Sequence, residues 1–325
     1  MSKTKPLVVE NLTIHYYTVD GVIKAVRDVS FDVERGEAVC LVGESGSGKS
    51  TIGLAIAGIL PENARIINGK ILVDGINILE LSERELEKIR GREVSMIFQD
   101  PAASFNPLFT VGQLLSDIIR YKLGIEDKEE LRKRVIEALK IVALPDPERI
   151  FNSYPHELSG GMLQRVAIAA ALLTNPKIFI ADEPTTMLDV TLQFQILNLL
   201  QAIRRKFNIA ILFITHNLGV AAMICDRIIV IYAGTIVEIG PTNDILRNPL
   251  HPYTKKLIES IPRTSAKISR LKYLAGSLHD LREIPRGCIF RPRCDEAFEM
   301  CEIETPKLIE IKPRHHVACH KYRVK

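Results

Sequence analysis

AVCLVGESGSGKST, Ala38 to Thr51, is the stretch whose reading decides the fold. Its first half, AVCLVG, is a short continuous apolar run, the pattern of a strand buried on both faces of a parallel sheet. Its second half, Gly43 to Ser50, has the spacing G-x-x-x-x-G-K-S and opens the small-residue and apolar stretch Lys49 to Leu60, which is expected to be a helix. In such a strand–loop–helix unit the glycines let successive backbone N–H groups turn inward around a phosphate at a helix N-terminus. The expected phosphate-binding set is Gly43, Ser45, Gly46, Ser47, Gly48, Lys49, Ser50 and Thr51. Lys49 would reach the β- and γ-phosphates of a nucleotide, and the Ser50 hydroxyl would hold Mg2+. An ordinary glycine-rich turn does not predict Lys followed by Ser in this setting.

A phosphate loop of this kind needs a second magnesium contact at the end of another buried strand. IFIADE, Ile178 to Glu183, supplies it. Asp182 stands where the apolar run ends, suited to hold Mg2+ through water. Glu183 beside it is suited to polarise an attacking water, because a core strand rarely terminates in two adjacent carboxylates without a cation nearby. His216 follows the apolar run IAILFIT, Ile209 to Thr215, and could bond the γ-phosphate.

Outward from these motifs the chain alternates strands and helices, which implies a parallel α/β sheet. Leu7 to Val33 alternates and is rich in Val, Ile and Tyr around Asp20-Gly21, as antiparallel strands would be. Ile71 to Leu79 reads as a further hairpin region, and Ser82 with Glu85 as a capping box. VSMIFQ, Val94 to Gln99, is another buried strand. After Pro101 the character turns helical, with Val111 to Leu123 and Lys128 to Leu144 the clearest helices. Thr191 to Phe207 is expected to be a helix, IIVIYAGTIVEIG a hairpin turning at Ala233-Gly234, and Pro252 to Ile261 a last core helix.

The 325 residues carry 43 Lys and Arg against 39 Asp and Glu, a net charge of +4. That surplus is too weak to argue for nucleic acid as a partner. With 46% hydrophobic and 25% charged residues, a disordered or fibrous chain is excluded. A spanning helix needs about 20 apolar residues, and no run approaches that. The start, MSKTKPLVVENLTI, has no apolar core or small-residue cleavage site, so no secretory signal is expected and a cytoplasmic location is. In that reducing compartment disulfides are not expected, and Cys40 and Cys225 read as isolated core residues.

LSGGMLQR, Leu158 to Arg165, lies between the phosphate loop and the Asp-Glu strand and resembles the signature motif of ATP-binding cassette proteins. Gln99 resembles that family's Q-loop, and MLD, Met187 to Asp189, its D-loop, with Met187 in place of the usual small residue. Tyr16 falls where the family stacks an aromatic on adenine, Tyr17 being the alternative register. The resemblance covers about residues 5 to 262 with six ordered motifs. It implies a P-loop NTPase core with a parallel sheet, an N-terminal antiparallel β subdomain and a helical subdomain inserted at about 101–175. It also implies ATP and Mg2+ as cofactors, with Ser50, Gln99 and Asp182 around the metal and Glu183, His216 and Gln99 as catalytic groups. A head-to-tail dimer follows, because Ser159, Gly160 and Gly161 expose N–H groups at a helix start and would close over the γ-phosphate of a second cassette subunit, copy or paralogue.

NPLHPYTKKLIESIP, Asn248 to Pro262, resembles the closing element of ATPase subunits from oligopeptide, dipeptide and nickel importers, which also carry a cysteine-containing tail. In that group two permease subunits form the path and an extracytoplasmic binding protein delivers peptide, so the implied place is peripheral, on the inner face of the cell membrane. The rival readings are a soluble cassette ATPase outside transport and a redox- or metal-regulated cassette scaffold.

Residues 263–325 read as a small, irregular, cysteine-rich module appended to the cassette of residues 1–262. Cys288, Cys294, Cys301 and Cys319 are separated by gaps of five, six and seventeen residues. Structural zinc sites build on close pairs two to four residues apart, and none occurs here, so a [4Fe-4S] cluster is the first expectation; zinc, free thiols and disulfides stay open. The tail histidines His279, His315, His316 and His320 are expected to be solvated, His320 beside Cys319 being the one candidate ligand. No phosphate motif lies beyond His216, so the tail is expected to be dispensable for nucleotide binding.

Overall fold

The computed structural model describes residues 5–260 and 280–323. Its strands in chain order are β1 (Leu7–Thr18), β2 (Gly21–Val33), β3 (Ala38–Val42), β4 (Ala64–Val73), β5 (Ile76–Asn77) and β6 (Val94–Ile97). They continue with β7 (Ile178–Asp182), β8 (Ala210–Thr215), β9 (Arg227–Tyr232), β10 (Thr235–Pro241), β11 (Ile309–Lys312) and β12 (His315–Val317). Four form an antiparallel sheet in the order β2-β1-β4-β5, and eight form the main sheet in the order β11-β12-β10-β9-β3-β8-β7-β6. In the main sheet β9, β3, β8, β7 and β6 run parallel.

The continuous apolar runs of β3, β7 and β8 follow from burial on both faces. Cys40 and Val42, Phe179 and Ala181, and Ile211 and Phe213 pack on one side with the helices Gly160–Leu172 and Val190–Phe207 and with the helical insertion. Val39, Leu41, Ile178, Ile180, Leu212 and Ile214 pack on the other with the helix Lys49–Ile56 and the antiparallel sheet. That sheet has one apolar face, so its strands alternate, with Leu7, Val9, Leu12 and Ile14 buried. The strands' C-terminal ends meet at one edge, where open parallel sheets hold their ligands.

The helix Val111–Leu123 is as expected, and Lys128–Ile141 stops three residues short of the apolar spacing. Pro145 disfavours helical backbone at Leu144, and Ala143 turns out at a φ of 54°. The β9–β10 hairpin turns on Ala233 and Gly234, both left-handed. The β1–β2 loop is Val19-Asp20, one residue earlier than expected, because Thr18 pairs with Gly21. The last core helix is Pro252–Glu259; Ile261, Pro262 and His279 lie outside the described residues. Among the described residues no helix is long and apolar enough to cross a membrane.

Three expectations are corrected. Cys40 and Cys225 are not isolated: they form a disulfide with Cα atoms 5.9 Å apart. The chain leaving the helix Leu218–Ile224 is drawn against β3, with the Asp226 N–H donating to the Ala38 carbonyl at 2.8 Å. The tail extends the main sheet, since β12 pairs with β10 and β11 with β12. The tail histidines are not solvated as a group: His315 is 1% exposed and its Nε2 lies 2.8 Å from Glu238 Oε1, while the buried His320 has its Nε2 2.7 Å from the Glu304 carbonyl.

Candidate functional site

A cavity of about 510 Å3 lies over the C-terminal ends of β3, β7 and β8 and is lined by Ser45, Gly46, Gly48, Lys49, Ser50, Thr51, Gln99, Glu183 and His216. Tyr16, Ile23, Ala25 and Leu281 close its other side. Gly43 and Gly48 are fixed by close backbone approach. A Cβ at Gly43 would stand 2.1 Å from the Ile231 carbonyl oxygen, and one at Gly48, whose φ is 96°, 2.3 Å from that of Ala25. The Gly234 N–H donates to the Ser47 carbonyl at 3.0 Å, tying the buried turn at Ser47 to the β9–β10 hairpin.

Lys49 opens the helix Lys49–Ile56 and is 5% exposed. Its ammonium donates to the Gly43 and Glu44 carbonyls, each at 2.8 Å. Burial lowers its pKa, and the carboxylates of Glu183, Asp182 and Glu44 oppose that change. Three carboxylates around one cation leave room for further positive charge, which Mg2+ would supply. Ser50 Oγ donates to Asp182 Oδ1 at 3.1 Å, so the two expected magnesium groups already touch. Burial raises the Asp182 pKa and Glu183 adds to the rise, against the Ser50 hydrogen bond.

Glu183 stands one residue past β7 in a left-handed backbone conformation, φ 47°, held by its N–H donating to the Ile214 carbonyl at 2.9 Å. Such conformations of non-glycine residues gather at functional sites. One carboxylate oxygen lies 2.9 Å from His216 Nδ1; the other accepts from Thr186 Oγ1 at 3.0 Å and Gln99 Nε2 at 3.3 Å. Burial would raise its pKa, but the hydrogen bonds from His216 and Thr186 outweigh it and hold the carboxyl below its ordinary value. The carboxylate is therefore ionised and aimed, as a general base must be. Tyr16 lies on the cavity wall with its OH 3.2 Å from Thr51 Oγ1. Tyr17 is half exposed and does not line the cavity.

Ser159, Gly160 and Gly161 are not brought to this cavity. Ser159 caps the helix Gly160–Leu172, accepting from the Met162 N–H at 3.4 Å, on the exposed surface. Asp189 caps the helix Val190–Phe207 through the Thr191 and Leu192 N–H groups at 2.9 and 3.0 Å. Around it Met187 is 72% exposed and Val190 82%.

Residues the sequence reading missed come mostly from the tail and from the closing helix. Leu281 lines the cavity and its carbonyl accepts from the Lys24 N–H at 3.1 Å. Tyr253 is fully buried, and its hydroxyl accepts from the Glu44 N–H at 2.9 Å. Arg293 forms a two-pronged ion pair with the Glu44 side chain. Leu281 and Arg293 thus bring the tail into contact with the cavity wall and the phosphate loop, where the sequence had placed no tail residue. The His-Pro-Tyr signal was available for Tyr253: His251 caps the helix by accepting from the Tyr253 N–H at 3.0 Å, and burial pushes its pKa down to about 3, keeping it a neutral acceptor.

The four tail cysteines are free. Burial pushes the Cys288 thiol up to about 11 and raises those of Cys294 and Cys319, and the thiols act on one another electrostatically. Neighbouring backbone N–H groups oppose these shifts without reversing them. Among the described residues no group of three or more His, Cys, Asp or Glu is gathered as metal binding requires, so neither the expected cluster nor zinc finds support in the arrangement of these side chains.

A phosphate loop, an Asp–Glu strand end and a histidine beyond the next strand, all at one sheet edge, define an ATP-hydrolysing P-loop protein. Residues 26–186 match the ABC transporter family, and residues 237–301 the oligopeptide/dipeptide transporter C-terminal region. The chain belongs to the ABC transporter family and is one of its ATPases. It is 44% identical to the oligopeptide transport ATP-binding protein AppD of Bacillus subtilis, over 97% of this chain and 96% of that one. It is also 44% identical to the oligopeptide transport ATP-binding protein OppD of Salmonella typhimurium, over 97% and 93%. The dimeric ABC transporter cassette MJ0796 superposes with a TM-score of 0.65 at 33% identity, over 73% of this chain and 98% of that one.

Glu183→Gln is expected to keep ATP affinity and to slow hydrolysis by about 10²-fold or more, the loss of a positioned general base. Phosphate release and nucleotide titration on the same preparation check it; wild-type turnover would remove Glu183 from that role.

Proposed function

We propose that this chain is the ATP-hydrolysing subunit of an importer of oligopeptides or dipeptides, working on the inner face of the cell membrane. The observation that carries the reading is the match of residues 237–301 to the oligopeptide/dipeptide transporter C-terminal region. Relatives named for oligopeptide transport along nearly the whole length support it. In this reading residues 1–262 are the cassette and 263–325 a cysteine-rich module seated on it.

Nucleotide is held by Tyr16 at the adenine and by the loop from Gly43 to Thr51 at the phosphates. Ser50, Asp182 and Gln99 surround Mg2+. Glu183 takes the proton of the attacking water while His216 bonds the γ-phosphate. Ser159, Gly160 and Gly161 act in trans, on the phosphates of a second cassette, which suits a helix start that is exposed and remote from its own cavity. The exposed Met187, Val190 and Phe194 beside Asp189 are the apolar surface such a dimer would cover. The exposed Phe98, Leu108 and Phe109, flanking Gln99 and the start of the helical insertion, suit docking of two permease subunits, which pass on peptide from an extracytoplasmic binding protein. A cell strain lacking this chain is expected to lose uptake of short labelled peptides, restored by the wild-type gene and not by Lys49→Ala. Undiminished uptake would refute peptide import while leaving the ATPase standing.

Cys288, Cys294, Cys301 and Cys319 would hold a [4Fe-4S] cluster. What supports this reading is that the thiols lie near enough to act on one another's charge and are four in number, as a cubane needs; against it, burial favours the protonated thiols, and among the described residues they are not gathered in a metal-binding arrangement. When bound, such a group supplies a redox-active cross-link. Protein purified without oxygen should be brown, with broad absorption near roughly 400 nm and about four irons per chain. Colourless protein with one tightly bound zinc would overturn the cluster in favour of zinc.

A further inference from the structure

Glu44, the second residue of the phosphate loop, is an awkward group to find there. A carboxylate beside the phosphate-binding lysine repels a triphosphate and competes for that lysine, and Glu44 does act on the Lys49 charge. The structure disposes of it from the tail. Arg293, 9% exposed, donates from Nη1 to Glu44 Oε2 at 2.7 Å and from Nη2 to Oε1 at 3.0 Å. This two-pronged geometry is specific to a guanidinium. The same guanidinium lies 3.4 Å from the Tyr232 hydroxyl, and its carbon is 5.7 Å from that ring's centroid. The Glu44 backbone is fixed separately, its N–H by Tyr253 Oη and its carbonyl by Lys49.

Arg293 is itself held by its surroundings. It ends the turn Arg291–Arg293, directly before Cys294, and its carbonyl accepts from Lys256 Nζ at 2.8 Å. Its N–H donates to the Phe290 carbonyl at 3.0 Å, and Phe290 packs against Tyr232 and Tyr253. A side chain placed so firmly, about 250 residues along the chain from the loop it meets, is more than a surface ion pair.

We propose that Arg293 is a positioning residue of the nucleotide site: it neutralises Glu44 and holds that carboxylate clear of the phosphates, so that the cysteine-bearing tail sets ATP affinity. This rests on the ATP site described above, and Lys49→Ala tests that site separately, since its retention of ATP binding would strike the site itself rather than the tail contact.

The test is ATP affinity of the full-length chain, read by fluorescence titration, with steady-state turnover beside it. Arg293→Ala is expected to weaken ATP binding about tenfold, as uncovering one charge at this range in a partly wetted site would, with kcat at saturating ATP little changed. Glu44→Gln in the same chain should restore the affinity to within about twofold, because the repelling charge is then gone. Arg293→Lys should fall between, keeping the charge and losing the fork; it carries the test if the alanine variant does not fold. Wild-type affinity in Arg293→Ala, or a loss that Glu44→Gln does not repair, would overturn the proposal, the second by reducing Arg293 to a packing role.

Discussion

A lysine ammonium buried under a backbone loop, with three carboxylates around it, is the constraint on which the rest of the structure depends. Lys49 is placed there because β3 runs through the middle of the sheet and delivers its C-terminal end directly to a helix start. Desolvating that cation is costly unless carbonyls and charges face it, and Gly43, Glu44, Asp182 and Glu183 do. The loop in turn needs the close approaches at Ile231 and Ala25, which bring β9 and β2 against it. Sheet, antiparallel subdomain and phosphate site are thus one packing problem.

The parallel core was legible because its strands are apolar on both faces and its motifs fall at their ends. The position of the two acidic residues was legible for the same reason: Asp182 and Glu183 follow IFIA, where sheet geometry leaves no choice but the strand's C-terminal edge. What the sequence did not disclose was contact between distant segments. Nothing in the spacing of Cys40 and Cys225 announces that β3 and the chain after the helix Leu218–Ile224 lie side by side. Likewise His315 looks like a solvated tail histidine until β12 pairs with β10 and sets it against Glu238.

The tail was the region read least well, and the reason is physical. Its order comes from docking rather than from periodicity: β12 borrows the edge of β10, the turn at Phe290 borrows the aromatic pair Tyr232 and Tyr253, and Leu281 lies beside Lys24. Segments ordered by what they touch carry little pattern of their own. Their contacts nevertheless reach the phosphate loop at Glu44, so the cysteine-bearing end and the nucleotide end of this chain are mechanically continuous.

We propose that each chain holds a half-site, complete in nucleotide binding and incomplete in hydrolysis until a second cassette closes on it. Ser159 stands at an exposed helix start, away from its own cavity, so a bulky side chain there would obstruct closure without touching the bound nucleotide. The direct measurement is Ser159→Arg, assayed both as an isolated chain for ATP binding and in the assembled transporter for turnover. Unchanged affinity in the isolated chain with collapsed turnover in the assembly is the predicted result. Wild-type turnover in the assembly, or loss of ATP binding by the isolated chain, would contradict it.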